Sequence, residues 1–196
     1  MASLYRSLSN GFIREALSPA AESQIANVTG APVAGILLGS YCDYTQVGYH
    51  DAGEVQYVRV YIPGGTAIGK IVYYQASGGD AARYVRMGLY TQTSPTDETG
   101  LPSTKAAETA SIPTNGLNSQ FVEVSLTSTY VTPQDGYYWI AFITNSNDLQ
   151  FAMSEMFGPD FLPVRRGPSA GSTLPASPGI VVNPSSATVL TMALEA

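Results

Sequence analysis

The chain has 196 residues, carries a net charge of −6 at pH 7, and only 12% of its residues are charged. That length suits one domain of ordinary size with extra segments, and the acidic balance argues against a nucleic-acid binder, because no basic stripe is present to track phosphates. Cys42 is the single cysteine, so neither an internal disulfide nor a thiolate metal cluster is available.

Residues 1–53 are the least domain-like stretch. Ser18-Pro19-Ala20-Ala21-Glu22 joins a capping serine, a proline at the first helical position and an early acid, which predicts a short helix to about Asn27. Val33 to Leu38 and Tyr41 to Tyr49 each read as a strand. Gly30, Pro32, Gly35, Gly39 and Gly48 interrupt the region too often for a core of its own. The expectation is an extended N-terminal arm that joins the following domain or docks on a neighbour.

From Glu54 the pattern is that of strands. Val55, Tyr57, Arg59 and Tyr61 alternate with Gln56, Val58, Val60 and Ile62, and Pro63-Gly64-Gly65 ends the run. Ala67 to Gln75 sets Ile68, Lys70, Val72 and Tyr74 against Gly69, Ile71, Tyr73 and Gln75. Arg83 to Thr93 places Val85, Met87 and Leu89 inward and Tyr84, Arg86 and Tyr90 outward. A Pro/Gly/Asp loop over Ser94 to Ser103 precedes a weaker strand, Ala106 to Ile112, and Asn115-Gly116 is a turn. Val122, Val124 and Leu126 mark the next strand.

The most apolar stretch is Gly136 to Thr144, nine residues of aromatic and β-branched side chains holding the only tryptophan, Trp139. Turn residues bound it on both sides, which predicts a strand buried on both faces. Leu149, Phe151 and Met153 are expected to return as a hairpin across Asn145–Asp148, so that three consecutive strands form a meander. Residues 157–186, rich in Pro, Gly and Ser, read as a long surface excursion. Ala187 to Leu194 reads as a closing strand that returns to a sheet rather than remaining an exposed edge. About eight strands at spacings of roughly 8–15 residues predict an all-β fold, an antiparallel β-sandwich of jelly-roll type over residues 54–196.

Motifs that carry chemistry fail on context. Gly64 to Lys70 has the outline of a phosphate loop, but Ile71 stands where Ser or Thr should hold magnesium, and a strand follows instead of a helix. A glycine hairpin turn explains it better. Gly167-Pro168-Ser169-Ala170-Gly171 matches a nucleophile elbow without the strand and helix that an elbow needs, and the only histidine, His50, lies far upstream. His50-Asp51 reads as a turn rather than an oriented base. One His and one Cys leave no transition-metal set. Asp97 and Glu98 in one loop, with Asn145, Asn147 and Asp148 in another, offer oxygen ligands of the kind calcium takes, although Pro102 breaks the spacing of a calcium loop. Solvated turns explain them better than a calcium site does, and these five residues are kept as the candidate recognition loops. No catalytic residue, metal or cofactor is expected. Asn27-Val28-Thr29 matches a glycosylation acceptor, but the start Met-Ala-Ser-Leu-Tyr-Arg does not predict a secretory signal. The longest apolar run falls far short of the ~20 residues that a membrane helix needs.

Three segments together resemble a known group. Val85-Arg86-Met87-Gly88-Leu89-Tyr90-Thr91, followed by Leu101-Pro102, resembles the "RVGLY…G-x-P" portion of jelly-roll domains in phage tail-fibre and other virion surface proteins. Gly136-Tyr137-Tyr138-Trp139-Ile140-Ala141 resembles the "G-x-YW-(L/I)-A" strand of the same domains, and Thr173-Leu174-Pro175-Ala176-Ser177 resembles the linker that closes them. The resemblance implies a carbohydrate-binding-like sandwich that oligomerises, with no catalysis. It covers about residues 54–196 and leaves residues 1–53 unmatched.

The expected function is therefore that of a non-enzymatic structural protein on the virion of a phage or phage-like particle, either a capsid decoration or a tail- or head-fibre attachment protein. A homo-oligomer is expected, a trimer first, anchored through the arm to neighbouring virion proteins, with a host-surface glycan as a further candidate partner. Assembly in the host cytoplasm, without nucleic acid or membrane insertion, goes with that reading. The alternative is a stand-alone lectin, in which Tyr73, Tyr84 or Tyr90 would stack sugars on an exposed sheet face. A surface this poor in charge fits one that is partly covered by other copies.

Overall fold

The structure, a computed structural model, describes residues 46–97, 100–156, 164–168, 171–179, 187–190 and 192–195. The expected helix at 18–27, the strand at 33–38 and the start of the strand at 41–49 lie outside these residues. All regular structure among the described residues is β. The strands are β1 (Gln46–Tyr49), β2 (Glu54–Ile62), β3 (Ala67–Ser77), β4 (Tyr84–Gln92), β5 (Pro102–Glu108), β6 (Ile112–Pro113), β7 (Gln120–Val131), β8 (Gly136–Thr144), β9 (Gln150–Met156), β10 (Val164–Pro168), β11 (Ala187–Leu190) and β12 (Met192–Glu195).

They form two antiparallel sheets. In the first, β1, β9, β3 and β7 lie side by side, with β11 against β9 and β12 against β3. The second runs β10-β2-β8-β4-β5, with β6 beside β4. The pairings are nested: β4 with β5, β3 with β7, β2 with β8, and β1 with β9, each enclosing the one before. The chain is thus a long antiparallel ribbon doubled back at residues 93–101. Rolling it brings β4 onto β8 and β3 onto β9.

The sheets pack face to face on a shared core that draws Val58, Val60 and Ile62 from β2, Ile71 and Tyr73 from β3, Val85, Met87 and Leu89 from β4, and Ile140 and Phe142 from β8. On β7, buried Val122, Val124 and Leu126 alternate with exposed Phe121, Glu123 and Ser125, as a strand with one solvated face should. Burying this apolar surface, at about 25 cal/mol per Å², is the main drive to the fold.

Several expectations are corrected. β9 does not form a hairpin with β8, and β7, β8 and β9 are no meander: β8 pairs with β2 and β4, while β7 and β9 pair with β3 in the other sheet. Alternation shows that a segment is a strand, but it does not show its partner, and the five residues 145–149 suffice to span the ~10 Å between stacked sheets. For the same reason the Gly64-Gly65 turn, where Gly65 takes a φ of 77°, crosses between sheets instead of closing a hairpin. β3 has a register shift between Ile68 and Lys70, so Ile68 and Ile71 both face the core. Strict alternation put them on opposite faces, which one extra residue in a bulge undoes.

The stretch 157–186 is not merely an excursion. Val164–Pro168 is a strand that pairs with β2, where a free edge needs a partner, and Leu174 is buried. The closing strand does return to the first sheet, in two pieces, β11 on β9 and β12 on β3.

Candidate functional site

β8 carries apolar side chains on both faces, and both are covered. Its even-numbered residues face the other sheet. The odd-numbered ones, Trp139, Ala141 and Ile143, form a second cluster with Val55, Tyr57, Tyr90 and Leu174 on the outer face of the second sheet. The register sets this face out in rows across β2, β8 and β4. Tyr61 lies beside Tyr137, Arg59 beside Trp139 with Tyr90 beyond it, and Tyr57 beside Ala141 with Gly88 beyond it.

Residues 171–179 cover the middle of these rows. The Tyr90 hydroxyl donates to the Pro175 carbonyl at 2.6 Å, the Lys105 ammonium donates to the Leu174 carbonyl at 3.1 Å, and the Lys105 amide donates to the Ala176 carbonyl at 2.9 Å. Leu174 needs Gly88 beneath it, since a Cβ there would stand 2.8 Å from Leu174 Cδ1 and 2.9 Å from the Ala107 carbonyl oxygen. Tyr57 and Tyr90 meet edge to face at 5.3 Å. Burial pushes Tyr57 up to about 12, its hydrogen bond with Tyr90 acting the other way, and burial likewise raises Tyr90, helped by Tyr57 and Glu108. Both phenols are held neutral.

Among the described residues, the cover of 171–179 stops before the first row. Tyr61 is 49% exposed and meets the half-buried Tyr137 edge to face, with ring centroids 5.4 Å apart. The Arg59 guanidinium lies 4.8 Å from the Tyr137 ring centroid and 5.9 Å from that of Trp139. Gln92, fully paired below, anchors the floor: its Oε1 accepts from Trp139 Nε1 at 3.1 Å, and its Nε2 donates to the Ser94 and Asp97 carbonyls, each at 2.5 Å. The neighbouring Tyr137 amide donates to the Pro95 carbonyl at 2.7 Å. An arginine stacked on the half-buried Tyr137, beside the exposed Tyr61, makes an aromatic corner on two paired strands.

The candidate recognition loops lie elsewhere and apart. Asp97 sits at the Gly136 end of β8 and Asn145, Asn147 and Asp148 at its Thr144 end, so the two groups are separated by the whole strand. Glu98 lies outside the described residues. Asn145 accepts from the Tyr84 amide at 2.8 Å and donates to the Ala82 carbonyl at 3.1 Å, Asn147 accepts from the Ala52 amide at 2.6 Å, and Asp148 pairs with Arg83 at 2.9 Å. These three side chains pin neighbouring turns to β8. Among the described residues, no three His, Cys, Asp or Glu side chains come together as a metal set.

His50 is packed rather than exposed in a turn: it is buried edge-on to Phe142 at 5.3 Å, with Nδ1 3.0 Å from the Asp51 carbonyl. Trp139 is a core residue, as its strand implies. Of the tyrosines expected on an exposed sheet, Tyr73 and Tyr90 are fully buried, the first between the sheets and the second under Leu174, and Tyr84 is half-buried. Sequence reasoning missed Tyr61, Tyr137 and Arg59. Their alternation was visible, but where the cover of residues 171–179 stops was not. Ser169 lies outside the described residues. No helix among them is long and apolar enough to cross a membrane. The chain matches no family model, no curated protein and no solved structure.

Proposed function

We propose that the protein is a non-enzymatic, oligomeric jelly-roll component of a virion surface, a decoration or fibre-type attachment protein of a phage or phage-like particle. One observation carries this reading. The three segments that resemble virion jelly-roll domains, far apart in sequence, meet in space. Met87 of the first is the register partner of Phe142, next to the second, and Gly88 and Tyr90 lie under Leu174 and Pro175 of the third.

The nested pairing of β1 with β9, β2 with β8, β3 with β7 and β4 with β5 supports the jelly-roll assignment, since a doubled ribbon rolled on itself generates two interlocked sheets. Exposed Tyr61, Leu101 and Val131, on a chain with so few charges, support assembly with other copies. A trimer is the expected state, and residues 1–53 are the expected anchor to a neighbouring particle protein. Sedimentation equilibrium of the purified chain tests this: a stable trimer is expected, and a monomer at micromolar concentration, together with purified particles that lack the chain, overturns it. The lectin reading keeps one favourable observation, the open corner of Tyr61, Tyr137 and Arg59.

A further inference from the structure

We propose that Arg59, Tyr61 and Tyr137 form a binding site for a carboxylated sugar, such as a uronic acid unit of an acidic glycan. Three features lead to this ligand. Among the described residues, the Arg59 guanidinium makes neither an ion pair nor a hydrogen bond; it lies against the rings of Tyr137 and Trp139. Stacking therefore holds the guanidinium in place while its donor edge remains to be satisfied, and that planar fork matches a carboxylate in bidentate geometry. Beside it, Tyr61 offers a half-exposed ring held at 77° to that of Tyr137. A ring so fixed loses little entropy on binding, and its face suits the apolar C–H side of a pyranose.

The third feature is the boundary of the cover. Leu174 rests on Gly88, two rows from the row of Tyr61 and Tyr137, and Tyr61 stays 49% exposed. Below it, Trp139 is buried and bonded to Gln92, which keeps the floor from collapsing when a ligand docks. Phosphate satisfies the guanidinium but leaves the tyrosines unused, and a neutral sugar does the reverse. A carboxylated pyranose uses both. This deepens the attachment reading by naming a ligand class, and it does not depend on where the protein is mounted or on its oligomeric state.

The test is a titration of the full chain with tetragalacturonate and with its fully methyl-esterified counterpart, followed by the fluorescence of Trp139, the only tryptophan. A saturable change is expected with the acid, and about tenfold weaker binding with the ester, which keeps the rings and loses the charge. Arg59→Gln should abolish the preference for the acid, and Tyr61→Ala should weaken both ligands about tenfold, with circular dichroism unchanged. No response to the acid, equal affinity for acid and ester, or unaltered binding in Tyr61→Ala overturns the site. Poly-glutamate binding as tightly as the tetragalacturonate also overturns it, in favour of an acidic peptide. The acid-against-ester comparison needs no variant, so a folding defect cannot obscure the result. Sedimentation of the same samples reports separately on the assembly reading.

Discussion

On the outer face of the second sheet, Trp139, Tyr90 and Tyr57 are sealed beneath Leu174, whereas on the outer face of the first sheet Phe121 stands 44% exposed and Tyr49 61% exposed. Both faces are built from the same alternation of inward and outward side chains. They differ in what lies on top. Residues 171–179 tie down the second sheet by bonds to Tyr90 and Lys105, which makes that sheet the middle layer of three. The first sheet shows solvent a mixed surface, in which Lys70 pairs with Glu123 at 3.1 Å and the Tyr74 and Phe121 rings meet edge to face at 5.0 Å. The covered face should therefore contribute to stability, and the open face should tolerate change.

The largest effect should come from Trp139→Ala. Removing a fully buried indole from under the cover is expected to cost about 3–5 kcal/mol, read as a lower urea midpoint at constant slope. A change below about 1 kcal/mol would mean that the covered face is not a second core. Next comes a pair of glycines. Gly88→Ala must displace Leu174 or the backbone at Ala107 and should cost roughly 1–3 kcal/mol, whereas Gly69→Ala on β3 meets nothing within 4 Å and should change stability by no more than about 1 kcal/mol. Equal effects would erase the distinction between the two faces.

Alkaline pH probes the same contrast. Burial raises Tyr57 to about 12 and moves Tyr73 and Tyr90 in the same direction. In the unfolded chain these phenols ionise near 10, so the folded state holds their protons over a range in which the unfolded state releases them. Stability is then fully present below about pH 10 and falls as pH rises toward about 12. Denaturant melts in steps across that window, alongside absorbance at the phenolate band, should show unfolding and late tyrosine ionisation together. Ionisation of every tyrosine with the fold intact would contradict the sealed face. A modest effect is expected from Phe121→Ala on the open face, about 0.5–1.5 kcal/mol for one aromatic pair, measured by thermal melting.

Much of the fold was legible because strands announce themselves locally. The bounds of Glu54–Ile62 and Gly136–Thr144 follow from alternation and flanking turn residues, and apolar residues on both faces of β8 implied that something must cover the outer side. The identity of that cover was not legible. Leu174 lies in a Pro/Ser/Gly stretch without periodicity, and it is buried only because Gly88, distant in sequence, leaves room beneath it. The same holds for the bulge after Ile68, since one added residue leaves no trace in composition.

The recognition loops show the limit from the other side. Asn145, Asn147 and Asp148 have the chemistry of ligands, yet the fold spends them on Tyr84, Ala52 and Arg83. Arg59 reads in the sequence as one polar position in an alternating strand, and it becomes a candidate contact only where the cover ends. Which segments are strands, and which of their faces are apolar, can be read locally, because side-chain periodicity and turn chemistry act over a few residues. Tertiary structure alone decided which strands pair, which polar groups are spent and which aromatics stay open, because each depends on residues brought together by the rolling of the ribbon.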